Sequence, residues 1–432
     1  MIDINKVTNV YRIQEDLLRE IICIIDDFYK MMCKECIMSS ISTMETNKLL
    51  AYITFLGESY NIITDNNKED VRQILLIELK KRIENESICD LDIYNGLTAA
   101  AIAVKIMAIN SGNYLRFSEQ LDSYLLEKMS ERVKLLKSVI FCRTDFYDLI
   151  MGISGWIPYL SIFCNIPEKE IIIKESLEYL SRFVGYKNLN NILLPKCYIE
   201  NKYLLTSEDK KMFPNGYLNL GLSHGIAGIL LAFSVAENYG ITIPGHAEYI
   251  SILINEFIKH EYIVEGITYW PGMININEYL KNNFPKIKQR NSWCYGNVGI
   301  LCSLYHASNA LKNLELRNDI NQKIIELSKL NFDEHMFGSI IICHGLSGLL
   351  LFYDWYNNVT QSALLGSDIV KLLDIVVKSY KINGYTAFLD KDIKGTTRDT
   401  FSVIDGSLGC VLTLLTFIKK DLHFQKCLGF FV

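Results

Sequence analysis

The segment LNLGLSHGIAGIL, residues 218–230, contains the pattern that decides the fold of this 432-residue chain. In it, Gly225 and Gly228 lie three residues apart and open an apolar run. The same pair recurs at Gly152-Ile-Ser-Gly155, Gly296-Asn-Val-Gly299, Gly345-Leu-Ser-Gly348 and Gly406-Ser-Leu-Gly409. A weaker copy is Asn95-Gly-Leu-Thr-Ala-Ala100, and a degenerate copy without glycine is Asn47-Lys-Leu-Leu-Ala51. The chain therefore contains seven candidate copies of one segment.

The spacing of the copies predicts a helical hairpin for each repeat. Successive first glycines are 49 to 73 residues apart from Gly96 onward, about what two helices and two loops require. Between the glycine segments lie amphipathic stretches such as 71–83 and 320–330, where apolar residues recur at helical spacing. We expect these stretches to form outer helices that cover apolar inner ones.

The glycine pairs indicate how the hairpins assemble. Glycines at i and i+3 share one helix face and let neighbouring helices approach closely, so the inner helices are expected to bring their N-termini together. Seven hairpins in sequence can close into an all-α fold, an α/α toroid, and closure removes the exposed ends of an open solenoid. We expect residues 1–432 to form a single toroid, with an open solenoid as the alternative.

Two spacings exceed the others, which predicts insertions at 187–220 and 261–292. These segments contain prolines and scattered aromatic residues. Because recognition often depends on loops carried by a rigid scaffold, the insertions are candidates for contacting a large substrate. The alternative is that they are ordinary surface loops.

Composition excludes several classes of protein. Half of the residues are apolar, which is enough for a large core, and 49 acidic against 44 basic residues give a net charge of −5 without a basic tail for nucleic acid. The N-terminus lacks the features of a secretory signal, and glycines and a proline interrupt long uncharged stretches such as 149–166. We therefore expect a cytoplasmic globular protein whose twelve cysteines remain thiols.

Three of the repeats carry metal-binding or acid–base side chains directly before the first glycine. These side chains belong to His224, to Cys294 and to the adjacent Cys343 and His344. Equivalent repeat positions should meet at one end of the fold, and two thiolates with one imidazole suit zinc while leaving a fourth tetrahedral position open. The pattern predicts a catalytic zinc ion at Cys294, Cys343 and His344. The alternative is that the cysteines fill the core and that His344 caps a helix.

The charge of this ligand set suggests its chemistry. Two cysteinates and a neutral histidine balance the two positive charges of zinc, so a substrate thiol can lose its proton there and form a carbon–sulfur bond as a thiolate. His224 occupies the same repeat position outside the ligand set and is the acid–base candidate. Asp148, four residues before Gly152, could orient His224. The alternative for His224 is a helix-capping role.

The remaining candidates carry weaker patterns. Cys33-Lys-Glu-Cys36 has a metal-like spacing, but no second cysteine or histidine pair follows it closely. The other histidines lack the glycine pattern and are expected to be structural or solvated; they are His246, His260, His306, His335 and His423.

These motifs resemble those of the lanthionine synthetase C-like family, in particular the stand-alone lanthipeptide cyclases. The similar segments are residues 218–230, SWCYGNVGI at 292–300, ICHGLSGLL at 342–350, YDLIMGISG at 147–155 and IDGSLG at 404–409. The resemblance implies seven inner and seven outer helices, with one zinc ion per chain at Cys294, Cys343 and His344. It also implies the reaction, in which a cysteine thiol of a precursor peptide adds to dehydroalanine or dehydrobutyrine and closes a thioether ring.

The resemblance further implies site residues and partners. Positions matching His224, Asp148, Arg290 and Tyr295 are associated with the family's active site. Arg290, four residues before Cys294, could stabilise enolate charge, although a surface salt bridge is an alternative. The implied partners are a dehydrated precursor peptide with its leader, a dehydratase and an export transporter, with peripheral association at the inner face of the membrane.

Three other functions stay open from the sequence. The first is a related enzyme that adds glutathione or another small thiol to dehydroamino acids in proteins, and the second is a non-catalytic binding scaffold whose zinc joins three helices. The third is a glycosidase-like α/α barrel, which would need paired carboxylates that are not obvious at the repeat starts. The departures from the family pattern, namely the missing glycines of the first repeat, Gly-Leu-Thr-Ala in the second and Cys410 after Gly409, leave the zinc ligands unaffected.

Overall fold

A computed structural model describes residues 2–3, 6–9, 11–38, 41–65, 67–189, 191–391 and 396–431. Helices account for most of this part of the chain, and its strands form four two-stranded antiparallel sheets. None of the helices in these ranges has both the length and the apolar character that crossing a membrane requires.

Seven inner helices follow the repeat segments within the described ranges. They are apolar on all sides and almost completely buried, as expected for helices of a core. Their bounds are α2 (Thr46–Glu58), α4 (Leu97–Ser111), α7 (Ile153–Ile162), α10 (Ile226–Asn238), α13 (Asn297–Ala310), α15 (Leu346–Val359) and α17 (Ser407–Thr416).

Seven longer amphipathic helices form the outer set in the same ranges. The predicted stretches 71–83 and 320–330 contribute to two of them, and α14, for example, buries Ile320, Ile324 and Leu327 on one face. Their bounds are α1 (Glu15–Met38), α3 (Lys68–Glu84), α5 (Leu115–Lys137), α8 (Lys169–Ser181), α11 (His246–His260), α14 (Leu314–Leu327) and α16 (Gly366–Asn383). Three short helices lie in connections: α6 (Thr144–Tyr147), α9 (Ser207–Met212) and α12 (Ile276–Lys281).

The helices group into two compact units. One unit comprises residues 1–90, 94–122 and 337–432, and in it α15 packs against α17, α17 against α2, and α2 against α4. The other comprises residues 91–93 and 123–336, and in it α10 packs against both α7 and α13. Inner helices of consecutive repeats are thus neighbours within each unit, and the inner helix of the last repeat, α17, also packs against that of the first, α2. The predicted single domain over 1–432 stays a prediction.

Glycines begin six of the seven inner helices of the described chain. Gly96, Gly152, Gly225, Gly296, Gly345 and Gly406 are the N-cap residues, and their backbones are extended, a conformation that any residue adopts. Glycine is therefore required because a Cβ atom would collide with the preceding loop. A Cβ on Gly225 would lie 2.5 Å from the Asn219 oxygen, and one on Gly345 would lie 2.4 Å from the Ser339 oxygen.

At Gly155, Gly228, Gly299 and Gly409, the second glycine of the pair also lies against the loop that precedes the helix. A Cβ on Gly299 would lie 2.0 Å from the Trp293 oxygen, and one on Gly409 would lie 2.0 Å from the Val403 oxygen. The expectation that the pairs mainly bring neighbouring helices together is wrong, because the space they leave is filled first by the preceding loop folding back over the helix start. Close packing of two helices is instead seen at Gly57 of α2, where a Cβ would lie 2.9 Å from the Met107 nitrogen of α4.

One backbone hydrogen bond recurs between the loops that precede successive inner helices. In each case an amide two or three residues before the first glycine of one repeat donates to the carbonyl two residues before the first glycine of the next. The bonds run from Ile93 to Ile150 (3.0 Å), from Leu149 to Ser223 (3.1 Å), from Leu222 to Cys294 (2.8 Å) and from Cys343 to Ile404 (2.8 Å). This ladder holds equivalent positions of neighbouring repeats in register.

The two predicted insertion ranges contain most of the strands. The first holds β1 (Tyr186–Leu189), β2 (Ile192–Pro195) and β3 (Tyr217–Asn219), and the second holds β4 (Tyr262–Val264), β5 (Ile267–Tyr269) and β6 (Met273–Asn275). The strand pairs β1–β2 and β4–β5 are hairpins, whereas β3 pairs with β6 so that Leu218 lies opposite Ile274. The two insertions are therefore joined. The fourth sheet pairs β7 (Asp390–Lys391) with β8 (Thr397–Arg398).

Candidate metal and proton-transfer site

The three predicted metal ligands come together. One ligand atom from each of Cys294, Cys343 and His344 lies within 4.8 Å of the others. No second cluster of three or more histidine, cysteine or acidic donors with this spacing occurs in the described part of the chain. Two sulfur atoms and one imidazole nitrogen match the donors that zinc prefers, and three protein ligands leave room for a fourth. The donor set therefore fits a catalytic zinc ion.

Backbone hydrogen bonds fix the loop that carries Cys294. The Cys294 carbonyl accepts from the Leu222 amide at 2.8 Å and from the Ser223 amide at 3.2 Å. Its thiol donates to the Ser292 hydroxyl at 3.6 Å, and the same hydroxyl accepts from the Tyr295 amide at 3.3 Å. Cys294 is buried, and the hydrogen bonds from the neighbouring repeat hold its backbone in place.

Cys343 and His344 lie at the start of α15. The Cys343 amide donates to the Ile404 carbonyl, which anchors the pair to the loop before α17. Both residues are half-buried. The Nε2 atom of His344 lies 2.9 Å from an oxygen of Asp390, a residue that the sequence did not identify because it lies 46 positions away without a motif.

His224 and Asp148 form a direct pair, as the sequence predicted from their repeat positions. The Nδ1 atom of His224 lies 2.5 Å from Oδ2 of Asp148. The other carboxylate oxygen accepts from the amides of Met151 and Gly152 at 2.6 and 2.7 Å. Asp148 is fully buried, and these two hydrogen bonds hold its carboxylate at the start of α7. With Nδ1 facing the carboxylate, Nε2 is the nitrogen of His224 that can exchange a proton with a substrate.

The pair shifts the pKa of both groups. Burial alone would lower the pKa of His224, but the hydrogen bond and charge of Asp148 outweigh it and raise that pKa above its ordinary value. Burial raises the pKa of Asp148, although the hydrogen bonds from His224 and the two amides oppose the rise. The imidazole can therefore carry a proton near neutral pH, as proton transfer requires.

Tyr295 and Arg290 occupy the loop around Cys294. The Tyr295 ring centroid lies 6.2 Å from that of His224, and a Cβ on Gly221 would lie 2.6 Å from the tyrosine ring. Gly221 thus makes room for this ring, a role that the sequence motif alone did not reveal. Burial raises the pKa of the Tyr295 phenol, which keeps it a neutral donor. Arg290 is half-buried, and among the described contacts none joins its guanidinium to His224 or Asp148.

The other predicted candidates are packed into the structure. His246, His260, His306 and His335 are buried, and burial lowers the pKa of His335 to about 4. The side-chain nitrogen Nδ2 of Asn291 lies 3.1 Å from Nδ1 of His335, and this contact supports the loop next to Arg290. Cys33 and Cys36 are buried on α1, and none of the twelve cysteines, all of which lie in the described ranges, forms a disulfide.

Comparison with known proteins gives a consistent result. The model of the family described as lanthionine synthetase C-like protein matches residues 49–428. The nisin biosynthesis protein NisC of Lactococcus lactis subsp. lactis is 24% identical to the chain over 331 residues, which cover 75% of this chain and 73% of the relative.

A solved structure shares the fold. The structure of nisin cyclase superposes with a TM-score of 0.74 at 19% sequence identity and covers 97% of this chain and 98% of its own. The predicted fold class, an all-α toroid of helical hairpins, is confirmed by this match.

Proposed function

Since the chain belongs to the lanthionine synthetase C-like family, we propose that it is a zinc-dependent lanthipeptide cyclase. Its substrate is a dehydrated precursor peptide, in which it closes lanthionine or methyllanthionine rings. The observation that carries the proposal is the Cys294, Cys343 and His344 cluster, whose ligand atoms lie within 4.8 Å of one another. The three residues occupy the two positions before the first glycine of their repeats, and His224 occupies one of these positions in its own repeat. The candidate metal donors and the candidate proton carrier thus come from the same two positions of the repeated loop.

The proposed reaction is an intramolecular Michael addition. The sulfur of a peptide cysteine forms a bond with the β carbon of dehydroalanine or dehydrobutyrine. The carbon–carbon double bond becomes single, the thiol proton is released, and the α carbon gains a proton. The peptide's mass is unchanged, and no oxidant or reductant is needed.

Cys294, Cys343 and His344 would hold the zinc ion. When bound, zinc supplies positive charge that lowers the pKa of a substrate thiol. Both cysteines would bind as thiolates and His344 as the neutral imidazole.

His224 is proposed to move the proton. Its Nε2 atom can accept the thiol proton or return a proton to the α carbon, and Asp148 holds the ring and stabilises the imidazolium. Neutral Tyr295 and cationic Arg290 are proposed to stabilise negative charge on the enolate oxygen.

The proposal also includes the surroundings of the enzyme. The substrate would arrive with its leader from a dehydratase and leave through an export transporter of the same pathway. We propose a cytoplasmic location with peripheral association at the inner face of the membrane.

A thiol count after incubation with substrate tests the function. Purified enzyme is mixed with a dehydrated, leader-bearing precursor peptide, and the remaining thiols are alkylated and counted by mass spectrometry. We expect alkylation to disappear while the unalkylated mass stays constant. A second reaction with added glutathione and a dehydrated protein should give no adduct, whereas an adduct with no loss of peptide thiols would favour addition of small thiols instead.

A His224→Asn variant in the same assay tests the proton carrier. We expect this variant to keep its zinc and to lose turnover by about 10²- to 10⁴-fold, the usual contribution of a general acid–base residue. Wild-type turnover with wild-type ring stereochemistry would limit His224 to shaping the start of α10.

A further inference from the structure

We propose that Asp390 is a positioning residue that selects which ring nitrogen of His344 binds the metal. This inference rests on the proposed zinc site. Oδ1 of Asp390 lies 2.9 Å from Nε2 of His344, and the two side chains are only 20% and 22% exposed. No motif in the sequence points to Asp390, which reaches His344 through space from β7.

The chemistry of imidazole gives this contact its consequence. A neutral ring has one N–H and one lone pair, and a metal binds the lone pair. Because a carboxylate accepts a hydrogen bond, the proton belongs on Nε2 and the lone pair on Nδ1. The geometry therefore assigns Nδ1 of His344 as the metal ligand. A carboxylate behind the ring also makes the ligand more basic and fixes its orientation.

A comparison with His224 sharpens the assignment. His224 and His344 both lie directly before the first glycine of their repeats, and a carboxylate contacts each. Asp148 holds Nδ1 of His224 and leaves Nε2 for proton exchange, whereas Asp390 holds Nε2 of His344 and leaves Nδ1 for the metal. Opposite placement of the carboxylate thus gives two equivalent histidines different tasks.

Two features of the described chain hold the backbone at Asp390. A 3-10 turn, Gly384–Phe388, precedes it, and Phe388 is fully buried. Asp390 itself pairs with Arg398 across the β7–β8 sheet. The buried turn and the strand pair thus place the Asp390 carboxylate beside His344. A purely structural role of this pair would change stability but leave metal affinity unaltered.

Zinc affinity distinguishes the two roles. Wild type, Asp390→Ala and Asp390→Asn are titrated with zinc in competition with a chromophoric chelator. We expect Asp390→Ala to bind zinc about 10- to 100-fold more weakly, the usual effect of losing a carboxylate behind a histidine ligand. Asp390→Asn, whose side-chain oxygen still accepts a hydrogen bond, should fall between Asp390→Ala and wild type.

Asp374→Asn is the matched control. Asp374 belongs to α16, its side chain is 43% exposed, and it pairs with Lys378 at 2.5 Å. This variant removes one carboxylate from the same unit and should bind zinc as tightly as wild type. Far-UV circular dichroism on every variant identifies misfolding, and if Asp390→Ala does not fold, Asp390→Asn alone decides.

Each outcome bears on a separate claim. A wild-type protein that binds no zinc would overturn the proposed function. Zinc binding by wild type with unchanged affinity in the folded Asp390 variants would overturn the role of Asp390. A crystal structure of the zinc-loaded protein gives a second readout, in which a metal bond from Nδ1 of His344 is expected and a bond from Nε2 contradicts the assignment.

Discussion

His224 and Cys294 illustrate how much chemistry depends on the two positions before each first glycine. The recurring hydrogen bond between loops is accepted by the backbone carbonyl two residues before the first glycine, so neighbouring repeats hold the loop that carries both side chains. Evolution of such a site needs only substitutions at fixed points of a repeated loop. The same positions elsewhere hold Ile150 and Met151, which carry no metal-binding imidazole or thiol.

Removal of one cysteine ligand should remove the metal. We predict about one zinc per wild-type chain and loss of both zinc and cyclisation in Cys294→Ala and Cys343→Ala, because two remaining ligands hold zinc poorly. Metal content is measured by inductively coupled plasma mass spectrometry. Cys302→Ala is the control, since Cys302 is fully buried on α13 outside the cluster and should keep its zinc. Full metal content in both ligand variants would exclude the site.

Loss of the Asp148 charge should shift the pH dependence of turnover. Asp148 raises the pKa of His224, so Asp148→Asn lowers that pKa and leaves more of the imidazole neutral at a given pH. If neutral His224 is the base, the acidic limb of the kcat/KM profile moves to lower pH while kcat falls. The profile is recorded with the thiol assay. An unchanged limb, or a shift to higher pH, contradicts the role of this pair.

The sequence pointed to the candidate site residues that lie close to the repeated glycines and missed those that meet through space. Cys294, Cys343, His344 and His224 follow from the glycine pattern, and Asp148 follows from its offset to Gly152. Asp390 and Gly221 act through tertiary contacts that no local spacing encodes. The proposed catalytic roles of Tyr295 and Arg290 came only from family resemblance.

At the scale of elements, the glycine pair allows the loop before an inner helix to pack directly against the start of that helix. A Cβ on Gly299 would meet backbone oxygen and the side chain of Leu222 at 2.0 and 2.7 Å. The oxygen belongs to Trp293, the residue before Cys294. The start of α13, the loop before it and the candidate ligand Cys294 are therefore packed closely together.

A methyl group at Gly299 should disturb the packing of the loop against the start of α13. We predict that Gly299→Ala lowers the free energy of unfolding by about 1–3 kcal/mol, as overpacking commonly does, and weakens zinc binding through the displaced loop. Thermal unfolding and the chelator titration measure the two effects. Gly272→Ala is the control, because its Cβ would meet Tyr295 atoms only at 3.7 Å. Equal stability of both variants would show that the loop adapts without cost.

Helices could be predicted from the sequence more fully than their connections. The apolar runs after the glycines predict the inner helices, and the amphipathic stretches between these runs predict the outer helices, because both show helical spacing over the length of a helix. The hydrogen-bond ladder uses only backbone atoms and leaves no side-chain pattern. Strands of three residues, such as β3 and β6, are too short for alternation to identify, and their pairing joins residues far apart in sequence.

For the whole molecule, the fold tolerates large changes of sequence. Similarity to nisin cyclase extends over 97% of this chain although only 19% of residues are identical. A core of helices that are apolar on all sides needs volume and pattern more than particular side chains. The exceptions are the glycines and the site residues, whose spacing made the family recognisable.

Buried Glu58 should make the stability of the protein depend on pH. It lies on α2 and accepts from the amides of His423 and Phe424 at 2.6 and 2.7 Å, and burial raises its pKa to about 7. The folded state therefore holds the proton more tightly than the unfolded state. Its stabilising effect is complete below the ordinary carboxyl pKa and is lost as the pH rises to about 7 and above.

The Glu58→Gln variant removes this titration and keeps an oxygen acceptor. We predict that the wild-type free energy of unfolding falls more steeply between pH 5 and 8 than that of the variant. Urea unfolding at a series of pH values measures the difference. Glu78→Gln, on α3 with its carboxylate paired to Arg82 at 2.9 Å, is the control. Parallel curves for wild type and Glu58→Gln would contradict the prediction.

The pairing of β3 with β6 affects how deletion variants of this protein should behave. Each insertion supplies one strand, so deleting only one leaves the backbone donors and acceptors of the other unpaired at an open edge. Such an edge is a template for strand addition from a second chain, and the strand left behind, Tyr217–Asn219, is buried in the intact protein. A version that lacks one insertion should therefore self-associate, and a compact derivative has to lose both insertions together.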